Sequence, residues 1–494
     1  MLSPVYQGLT CQPTTDPAAS CTLGGYPAYA INVSTVAHIQ LAINFTRHTG
    51  VRLVVKNTGH DFSGKSGGAG ALSIWTHNLK GIQYIREYDA PGTDWHGAAF
   101  NLGTGIQAFE AYQAAADHGL MVVGGEGQTV GVAGGYVLGG GHSPLSSLYG
   151  VAADQVLSMQ VVLPDGQFVT ASFVENKELF WALRGGGGST FGVVTSVTVK
   201  AYPTVPATSS SFSWTTSATL TRDHFWAGFR AYMQRFVEYA DQGIYAYFFV
   251  LPTNGQLTFL MQPFFAPNKT LNETQTLLEP WFQELRDLGI VFTPKTQHHA
   301  DFHSAWKAAF PLEDVEKTHV ATGSRIFPRA NWENTTRFNE TFEAIKASSE
   351  AGLLLIAFNM RMVPPGDHAD NAVNPAMRRT VMHALSSVNW SPYATRGAIA
   401  RARNDFTYGH MQRWRDVSPG SGAYLGESDR MEPDFQQAFY GAFYPRLLAL
   451  KRKLDPNDVF WAATAVGSER WKVVTANGLP TENGRLCRVG HGER

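Results

Sequence analysis

Residues 59–66 are the part of this sequence whose residue types and spacing most directly suggest chemistry. They read Gly-His-Asp-Phe-Ser-Gly-Lys-Ser and follow an apolar, strand-like run at 51–55. The segment matches G-x-x-x-x-G-K-[ST], the loop that binds phosphates in nucleoside triphosphatases. In those enzymes a helix begins at the end of the loop, and its N-terminus faces the phosphates. An ATPase is therefore the first hypothesis to test against the neighbouring sequence.

The residues after this loop argue against an ATPase. Positions 67–70 read Gly-Gly-Ala-Gly, and a second strand-like run follows at 71–75. Each glycine disfavours a helix by about 1 kcal/mol relative to alanine, so the sequence predicts no helix here. We therefore expect the loop to bind the diphosphate of another ligand, with Lys65 incidental and His60 as the informative residue.

A second pattern suggests a nicotinamide dinucleotide. Residues 103–108 fit G-x-G-x-x-A between a predicted strand and a predicted helix, and Glu126 lies about twenty residues further on. However, Glu126 falls inside a dense run of glycines and not at the end of a strand. The alternative interpretation is a helix N-terminus whose small residues permit close packing on a strand.

Two more patterns are weak. Residues 64–68 fit the G-x-S-x-G nucleophile motif, which needs a helix after the serine that the glycines disfavour. His299 and His303 are four residues apart and close to His298, but no acidic motif accompanies them. We interpret the histidines as a solvated helix start and predict no metal site.

The chemistry-bearing loops alternate with regular elements. Ser34 or Thr35 can begin a helix over 34–49, which Gly50 ends, and Pro-Asp-Gly at 164–166 predicts a hairpin. Further predicted strands are 98–102, 121–123, 156–163, 167–171, 192–200, 244–251 and 256–262. Further predicted helices are 106–118, 174–183, 271–288, 302–309, 338–349 and 433–452.

Composition limits the classes of function. The 494 residues include 39 Lys+Arg and 40 Asp+Glu, so no basic field favours nucleic acid or anionic membranes. No apolar run reaches the roughly 20 residues of a membrane span. The stretch 124–141 contains nine glycines, a density that suggests backbone wrapped closely around a ligand.

The cysteines and glycosylation sequons favour the secretory route. Cys11 and Cys21 can close a small loop, which leaves Cys487 over. Seven Asn-x-Ser/Thr sequons begin at Asn32, Asn44, Asn268, Asn272, Asn334, Asn339 and Asn389. The first six residues lack the charged and apolar regions of a signal peptide, so we expect a mature form with an added start Met.

Four blocks of the sequence together resemble one protein family. Residues 54–62 resemble the pyrophosphate loop of the vanillyl-alcohol-oxidase flavoproteins, in particular their berberine-bridge-enzyme-like branch. Residues 131–142 and 148–154 resemble its second flavin loop, and residues 180–188 with 191–195 resemble the next block. Residues 423–429, with 455–460, resemble its return segment.

The resemblance implies an α+β fold with a PCMH-type FAD-binding domain in two parts. These parts are residues 1–205 and 421–494. Between them, residues 206–420 would form a substrate domain in which helices cover an antiparallel sheet. The resemblance is weakest in that middle segment, where we find no motif that identifies the substrate.

In this family the histidine at the position of His60 is bonded to the 8-methyl group of FAD. Gly127 replaces the cysteine that forms a second bond in many relatives, which implies a single attachment. Val137 stands at the position that governs reaction with oxygen, where valine is typical of oxidases. His142 follows three glycines, and we expect it to contact the flavin.

The resemblance also supplies site residues. Tyr149 and Tyr424 correspond to positions that reach the reactive face of the flavin, with structural packing as the alternative, and Glu427 is a second candidate base. Gly426 replaces a common asparagine, which puts one flavin contact in doubt. The predicted FAD-binding residues are Asn57, Thr58, Gly59, His60, Asp61, Phe62, Gly127, Gln128, Thr129, Gly131, Gly134, Gly135, Val137, Gly141, His142, Ala153, Asp154, Val194 and Tyr424.

We therefore expect a secreted FAD-dependent oxidase that takes hydride from an alcohol or sugar hydroxyl and gives H2O2. Oxidation of a secondary alcohol or a carbon–nitrogen bond in secondary metabolism is the alternative. A P-loop ATPase and a flavin carrier without catalysis are hypotheses from other classes. The expected partners are a small substrate and O2, without nucleic acid or membrane, for a monomeric chain.

Overall fold

The computed structural model describes residues 3–12, 14–312, 319–366, 370–475 and 478–490. Within these ranges, helices alternate with mainly antiparallel sheets, which agrees with the expected α+β class. No helix in the described part of the chain is long and apolar enough to cross a bilayer.

The first 205 residues contain two sheets that carry the sequence motifs. A parallel sheet has the spatial order Tyr29–Asn32, Leu72–Trp75, Leu53–Lys56. An antiparallel sheet has the order Ile82–Asp89, His96–Gly103, Val193–Lys200, Val156–Val162, Phe168–Ser172. Gly166 turns the predicted hairpin with a φ of 88°, which confirms that prediction.

A seven-stranded antiparallel sheet occupies the middle of the sequence. Its strands, in spatial order, are Lys295–His299, Ala207–Thr215, Gln256–Pro267, Tyr245–Thr253, Leu354–Asn359, Thr380–Asn389 and Val320–Pro328. One face packs on helices through an aromatic core that includes Trp281, Phe248 and Phe259. Tyr245 and Phe358 pack instead with residues of the glycine-rich region. The boundaries at 205 and 420 stay a prediction.

The α-helices begin and end at definable residues. They are Pro4–Gln7, Val36–Thr49, Ala108–Ala116, Ser146–Tyr149, Lys177–Leu183, Arg222–Met233, Phe236–Asp241, Leu271–Asp287, Phe302–Ala309, Thr335–Glu350, Pro375–Arg378, Arg396–Asn404, Met411–Asp416, Phe435–Tyr440 and Tyr444–Leu454. In Val36–Thr49, Thr35 accepts a hydrogen bond from the His38 amide, and Gly50 ends the helix with a φ of 70°.

Two local predictions were wrong. His298 and His299 lie on an edge strand that pairs with Ala207 and Thr208, and only His303 lies on a helix. The predicted helix 433–452 is broken at Gly441, whose φ of 56° few other residues adopt. A Cβ at Gly441 would also approach the Asn374 side chain to 2.9 Å.

A disulfide closes a loop within the N-terminal segment, and cation–π contacts fix the segment to the body. Cys11 and Cys21 are bonded, which confirms that pairing, and Cys487 is free. Tyr6 is buried between the guanidinium groups of Arg403 and Arg430, at 5.7 and 5.4 Å from its ring centre. The segment therefore packs against residues that come from the far end of the sequence.

Candidate active site

One cavity collects most of the residues that the sequence motifs singled out. Its wall comes from the loop 55–66, the glycine-rich stretch 125–142, residues 188–194 and the return segment 424–427, together with Thr76 and Thr104. The parallel sheet ends at the first of these segments, and the antiparallel sheet supplies Val193 and Val194. Segments far apart in sequence therefore meet around one space.

The loop 57–66 is held by its own side chains. Asn57 donates to the Thr104 carbonyl at 2.5 Å and to Thr76 Oγ1 at 3.1 Å. Asp61 accepts hydrogen bonds from the Lys65 amide and the Ser66 hydroxyl. The chain after Ser66 continues without a helix into the strand Leu72–Trp75, as expected, so the geometry of a triphosphatase loop is not formed.

His60 lies half-buried in this loop with one ring nitrogen engaged. Its Nε2 is 2.9 Å from Thr129 Oγ1. Burial lowers the pKa of His60, which favours the neutral imidazole at physiological pH. A neutral imidazole has a lone pair available as a nucleophile, as a covalent bond to FAD would require.

Lys65 also lines the cavity, which differs from the expectation that it would be incidental. Its Nζ is buried and has no hydrogen-bond partner among the described residues. Burial lowers the pKa of Lys65 to about 8. A buried cation of this kind suits an anionic ligand.

The glycines of the wall allow a ligand to approach the backbone. A Cβ at Gly131 would lie 2.1 Å from Asn57 Oδ1, so this glycine permits the close contact between the two loops. At Gly135 an added Cβ would meet no atom within 4 Å, so its side of the wall is open to the cavity. Open backbone beside a buried cation fits a dinucleotide such as FAD.

A partly buried carboxylate lies between two buried histidines at the end of the cavity that the return segment forms. Glu427 Oε2 is 2.9 Å from His383 Nε2, and Glu427 Oε1 is 3.3 Å from His142 Nε2. Glu427 lies on the short 3-10 helix Leu425–Glu427, whereas His383 comes from the seven-stranded sheet. Both parts of the molecule therefore contribute to this cluster.

The charge states of the cluster follow from burial and neighbouring charge. Burial disfavours the charged form of Glu427, but His142 and His383 outweigh it and hold the Glu427 pKa below its ordinary value. Burial alone would lower the pKa of His142, yet Glu427 and Glu126 raise it. Burial dominates at His383 and lowers its pKa. This pattern keeps Glu427 ionised at neutral pH and stabilises the protonated form of His142.

Tyr424 faces the same end of the cavity. Its ring packs edge-on against His142 at 5.4 Å, and burial raises its pKa well above the ordinary value. Gly426 makes room for it, since a Cβ there would lie 2.7 Å from the Tyr424 ring. The Tyr424 phenol is therefore a proton donor at neutral pH and not a base.

The cavity wall includes many of the predicted site residues. They are Asn57, Thr58, Gly59, His60, Asp61, Phe62, Gly127, Gly131, Gly134, Gly135, His142, Val194, Tyr424 and Glu427.

Other predicted residues lie outside the wall. Tyr149 stacks on Tyr202 at 4.2 Å, which favours the packing alternative over a catalytic role. Asp154 forms a buried ion pair with Arg378. The remaining ones are Gln128, Thr129, Val137, Gly141 and Ala153, of which Thr129 contacts His60 and Val137 is buried beside the wall.

Sequence reasoning missed His383 and two residues that contact or approach the His142 ring, Tyr245 and Glu126. Tyr245 and His383 lie within strands of the middle segment, where no motif marks them. Glu126 was considered only as part of a dinucleotide pattern, yet it lines the cavity. The one available signal in the sequence was that Glu126 is a carboxylate inside a glycine-rich stretch that we expected to surround a ligand.

Comparisons with known proteins agree with this geometry. A model for the FAD binding domain matches residues 27–172, and a model described as berberine and berberine like matches residues 423–467. The chain is 36% identical over 491 residues to the FAD-linked oxidoreductase ZEB1 of Gibberella zeae, covering 99% of this chain and 83% of that protein.

Solved structures share the fold. The VAO-type flavoprotein MtVAO615 from Myceliophthora thermophila matches with a TM-score of 0.88 at 33% identity, over 98% of this chain and 86% of that one. The glucooligosaccharide oxidase from Acremonium strictum matches with a TM-score of 0.71 at 19% identity, over 90% and 92% of the two chains. These matches confirm the predicted fold class.

Proposed function

The chain belongs to the berberine-bridge-enzyme-like FAD-linked oxidoreductases of the vanillyl-alcohol-oxidase superfamily, and we propose that it is a secreted oxidase of an alcohol or sugar hydroxyl. The substrate carbon loses hydride, its hydroxyl loses a proton, and O2 finally accepts the electrons and becomes H2O2. The observation that supports this most is Glu427, a partly buried carboxylate on the cavity wall that two histidines hold in place.

Glu427 serves as the base in this proposal. Bound FAD would supply the acceptor for the hydride. Glu427 is ionised at neutral pH and lines the cavity, so it takes the proton of the substrate hydroxyl. Tyr424 keeps its phenolic proton and orients the substrate oxygen by donating a hydrogen bond. His142 and His383 hold the carboxylate in place through both of its oxygens.

His60 is the proposed site of covalent attachment, and it is the single one. The comparison protein from Acremonium strictum is described as having a 6-S-cysteinyl, 8α-N1-histidyl FAD. In this chain Gly127 lines the cavity at the cysteine position. Cys11 and Cys21 are bonded to each other, and Cys487 lies on the strand Arg485–Arg488 and not in the wall.

Acid denaturation tests the attachment. The precipitated protein should stay yellow and fluoresce on a denaturing gel, whereas His60→Ala should release all of its flavin into the supernatant. His48→Ala, in the exposed last turn of the helix Val36–Thr49, is the matched histidine control and should keep its colour. A colourless wild-type pellet would refute the role of His60.

A peroxide-coupled screen of alcohols, sugars and amines tests the reaction. We expect one substrate class to yield H2O2, since Val137 stands where the family's oxidases carry valine. Flavin reduction by a substrate, with electrons passing only to an artificial acceptor, would retain the oxidoreductase but contradict oxygen as the acceptor.

Oxidation of a secondary alcohol or carbon–nitrogen bond of an apolar metabolite is the second candidate. It is favoured by a row of aromatic rings that begins at the cluster. Phe358 lies 4.8 Å from His142, Tyr247 stacks on Phe358 at 4.5 Å, and Phe249 lies 4.6 Å from Tyr247. The same screen separates the two candidates by whether sugars or ring-bearing alcohols are turned over.

A further inference from the structure

Glu126 belongs to the same cluster as Glu427 but lies on the opposite side of His142. The Tyr245 hydroxyl donates to Glu126 Oε2 at 3.2 Å and lies 3.2 Å from His142 Nδ1. Glu126 Oε2 itself is 3.9 Å from His142 Nδ1. His142 Nε2 faces Glu427. The imidazole of His142 therefore lies between two carboxylates. Glu427 contacts it directly, and Glu126 is linked to it through the Tyr245 hydroxyl.

The main chain at Glu126 is fixed, so its carboxylate has a defined position. Trp306 Nε1 donates to the Glu126 carbonyl at 3.1 Å, and the Tyr112 hydroxyl donates to the Gly125 carbonyl at 3.0 Å. The Glu126 side chain is only 15% exposed. Such anchoring is what a side chain needs if it is to control the state of a neighbour.

The directions of the hydrogen bonds define the state of His142. A phenol has a single proton, so when Tyr245 donates to Glu126 its oxygen is left to accept from His142 Nδ1–H. An ionised Glu427 accepts from Nε2–H on the other side. With Tyr245 donating to Glu126, the contacts on both sides of the His142 ring are hydrogen bonds only when both of its nitrogens carry a proton.

We propose that Glu126 is a positioning residue, which acts through the Tyr245 hydroxyl to keep His142 doubly protonated with Nε2–H aimed at Glu427. The catalytic consequence rests on the proposed function, because the imidazolium keeps Glu427 ionised as the base. The protonation of His142 itself does not depend on any substrate. The titratable groups that face His142 are Glu126, Glu427, His383, Tyr136, Tyr245 and Tyr424.

Histidine-selective 13C NMR of the intact flavoprotein tests the proposal. His142 is identified by the signal lost in His142→Gln, and its titration is compared among wild type, Glu126→Gln and Tyr245→Phe. We expect the pKa of His142 to be above the ordinary histidine value in wild type and to fall in both variants. Glu178→Gln removes an exposed carboxylate paired with Arg446 and should leave this titration unchanged.

The outcomes separate the proposal from a structural role. An unchanged His142 titration in both variants would overturn it, and so would a change in Glu126→Gln alone, which excludes the path through Tyr245. Retained flavin absorbance and circular dichroism show that the variants are folded. Once a substrate is known, the alkaline limit of flavin reduction should move to lower pH in both variants. Absence of any substrate would contradict the proposed function but not the NMR result.

Discussion

Glu427 concentrates the chemistry of the cavity in a single side chain. It is charged, only partly exposed, and held through both oxygens by His142 and His383. A carboxylate in such surroundings keeps its charge only while its partners stay in place. A substitution at Glu427 or beside it therefore changes either the charge of this group or the space around it.

Replacement of Glu427 by Gln should slow flavin reduction about 10²–10⁴-fold, the usual contribution of a general base. The amide keeps the shape of the side chain but cannot accept the substrate proton. Stopped-flow absorbance of the flavin under anaerobic conditions measures the step. Glu178→Gln, far from the cavity, should reduce its flavin at the wild-type rate.

Stability should also depend on this carboxylate in acid. The pKa of Glu427 in the folded protein lies below the ordinary value of 4.5, so its charge stabilises the fold above that pH. This contribution is lost as the pH falls below that value. The difference in melting temperature between wild type and Glu427→Gln should thus shrink between pH 6 and pH 3. A constant difference across this range would contradict the assigned direction.

Gly426 determines where the Tyr424 ring can lie. Because an added Cβ would lie 2.7 Å from that ring, Gly426→Asn should displace Tyr424 and weaken substrate binding and turnover while the flavin is retained. The asparagine that is common in relatives at this position would therefore impair the activity of this protein. Gly81→Asn, where a Cβ would meet no atom within 4 Å and the backbone is not left-handed, is the control. Unchanged kinetics in Gly426→Asn would refute the steric argument.

At the scale of elements, a buried ion pair joins residues from the two regions of the chain. Asp154 follows the glycine-rich stretch, and both of its oxygens accept from Arg378 at 2.7 Å. Asn371 donates to the same carboxylate at 2.7 Å. The Asp154 side chain is 1% exposed and also accepts from the Val151 amide, and Arg378 is the cation that forms its ion pair.

Arg378→Ala should therefore destabilise the protein by about 3–5 kcal/mol, because it leaves a buried carboxylate without its cation. Arg286→Ala removes an exposed pair with Glu279 and should cost about 0–1 kcal/mol. Thermal unfolding of the two variants compares them directly. Equal melting temperatures would show that Asp154 is compensated in another way.

The sequence predicted the elements that have strong local signals, such as caps and turns. It missed residues whose role depends on contacts with distant parts of the chain. Capping at Thr35 and the turn at Gly166 are local, so their elements were found within a few residues. The strand Thr380–Asn389 is buried along nearly its full length and lacks the alternating pattern of a half-exposed strand. His383 lies within it, so its meeting with Glu427 depends on tertiary pairing that no local pattern encodes.

At the scale of the whole molecule, the surface is consistent with the proposed secretion. The asparagines of six sequons are exposed, at Asn32, Asn268, Asn272, Asn334, Asn339 and Asn389, whereas Asn44 is partly buried. Expression through a secretory pathway should give a protein whose mass falls on treatment with an N-glycosidase. Peptide mass spectrometry should find Asn44 the least occupied site. An unchanged mass would contradict glycosylation.

The cavity wall is assembled from segments that lie at 55–66, 125–142, 188–194 and 424–427. A ribosome has therefore made most of the chain before the site can close. If His60 forms its bond only in the closed site, attachment records that a chain has completed its assembly. The ratio of covalently bound flavin to polypeptide would then measure the fraction of chains that had folded completely. Because the bond is covalent, the ratio could be measured even after the protein has been unfolded.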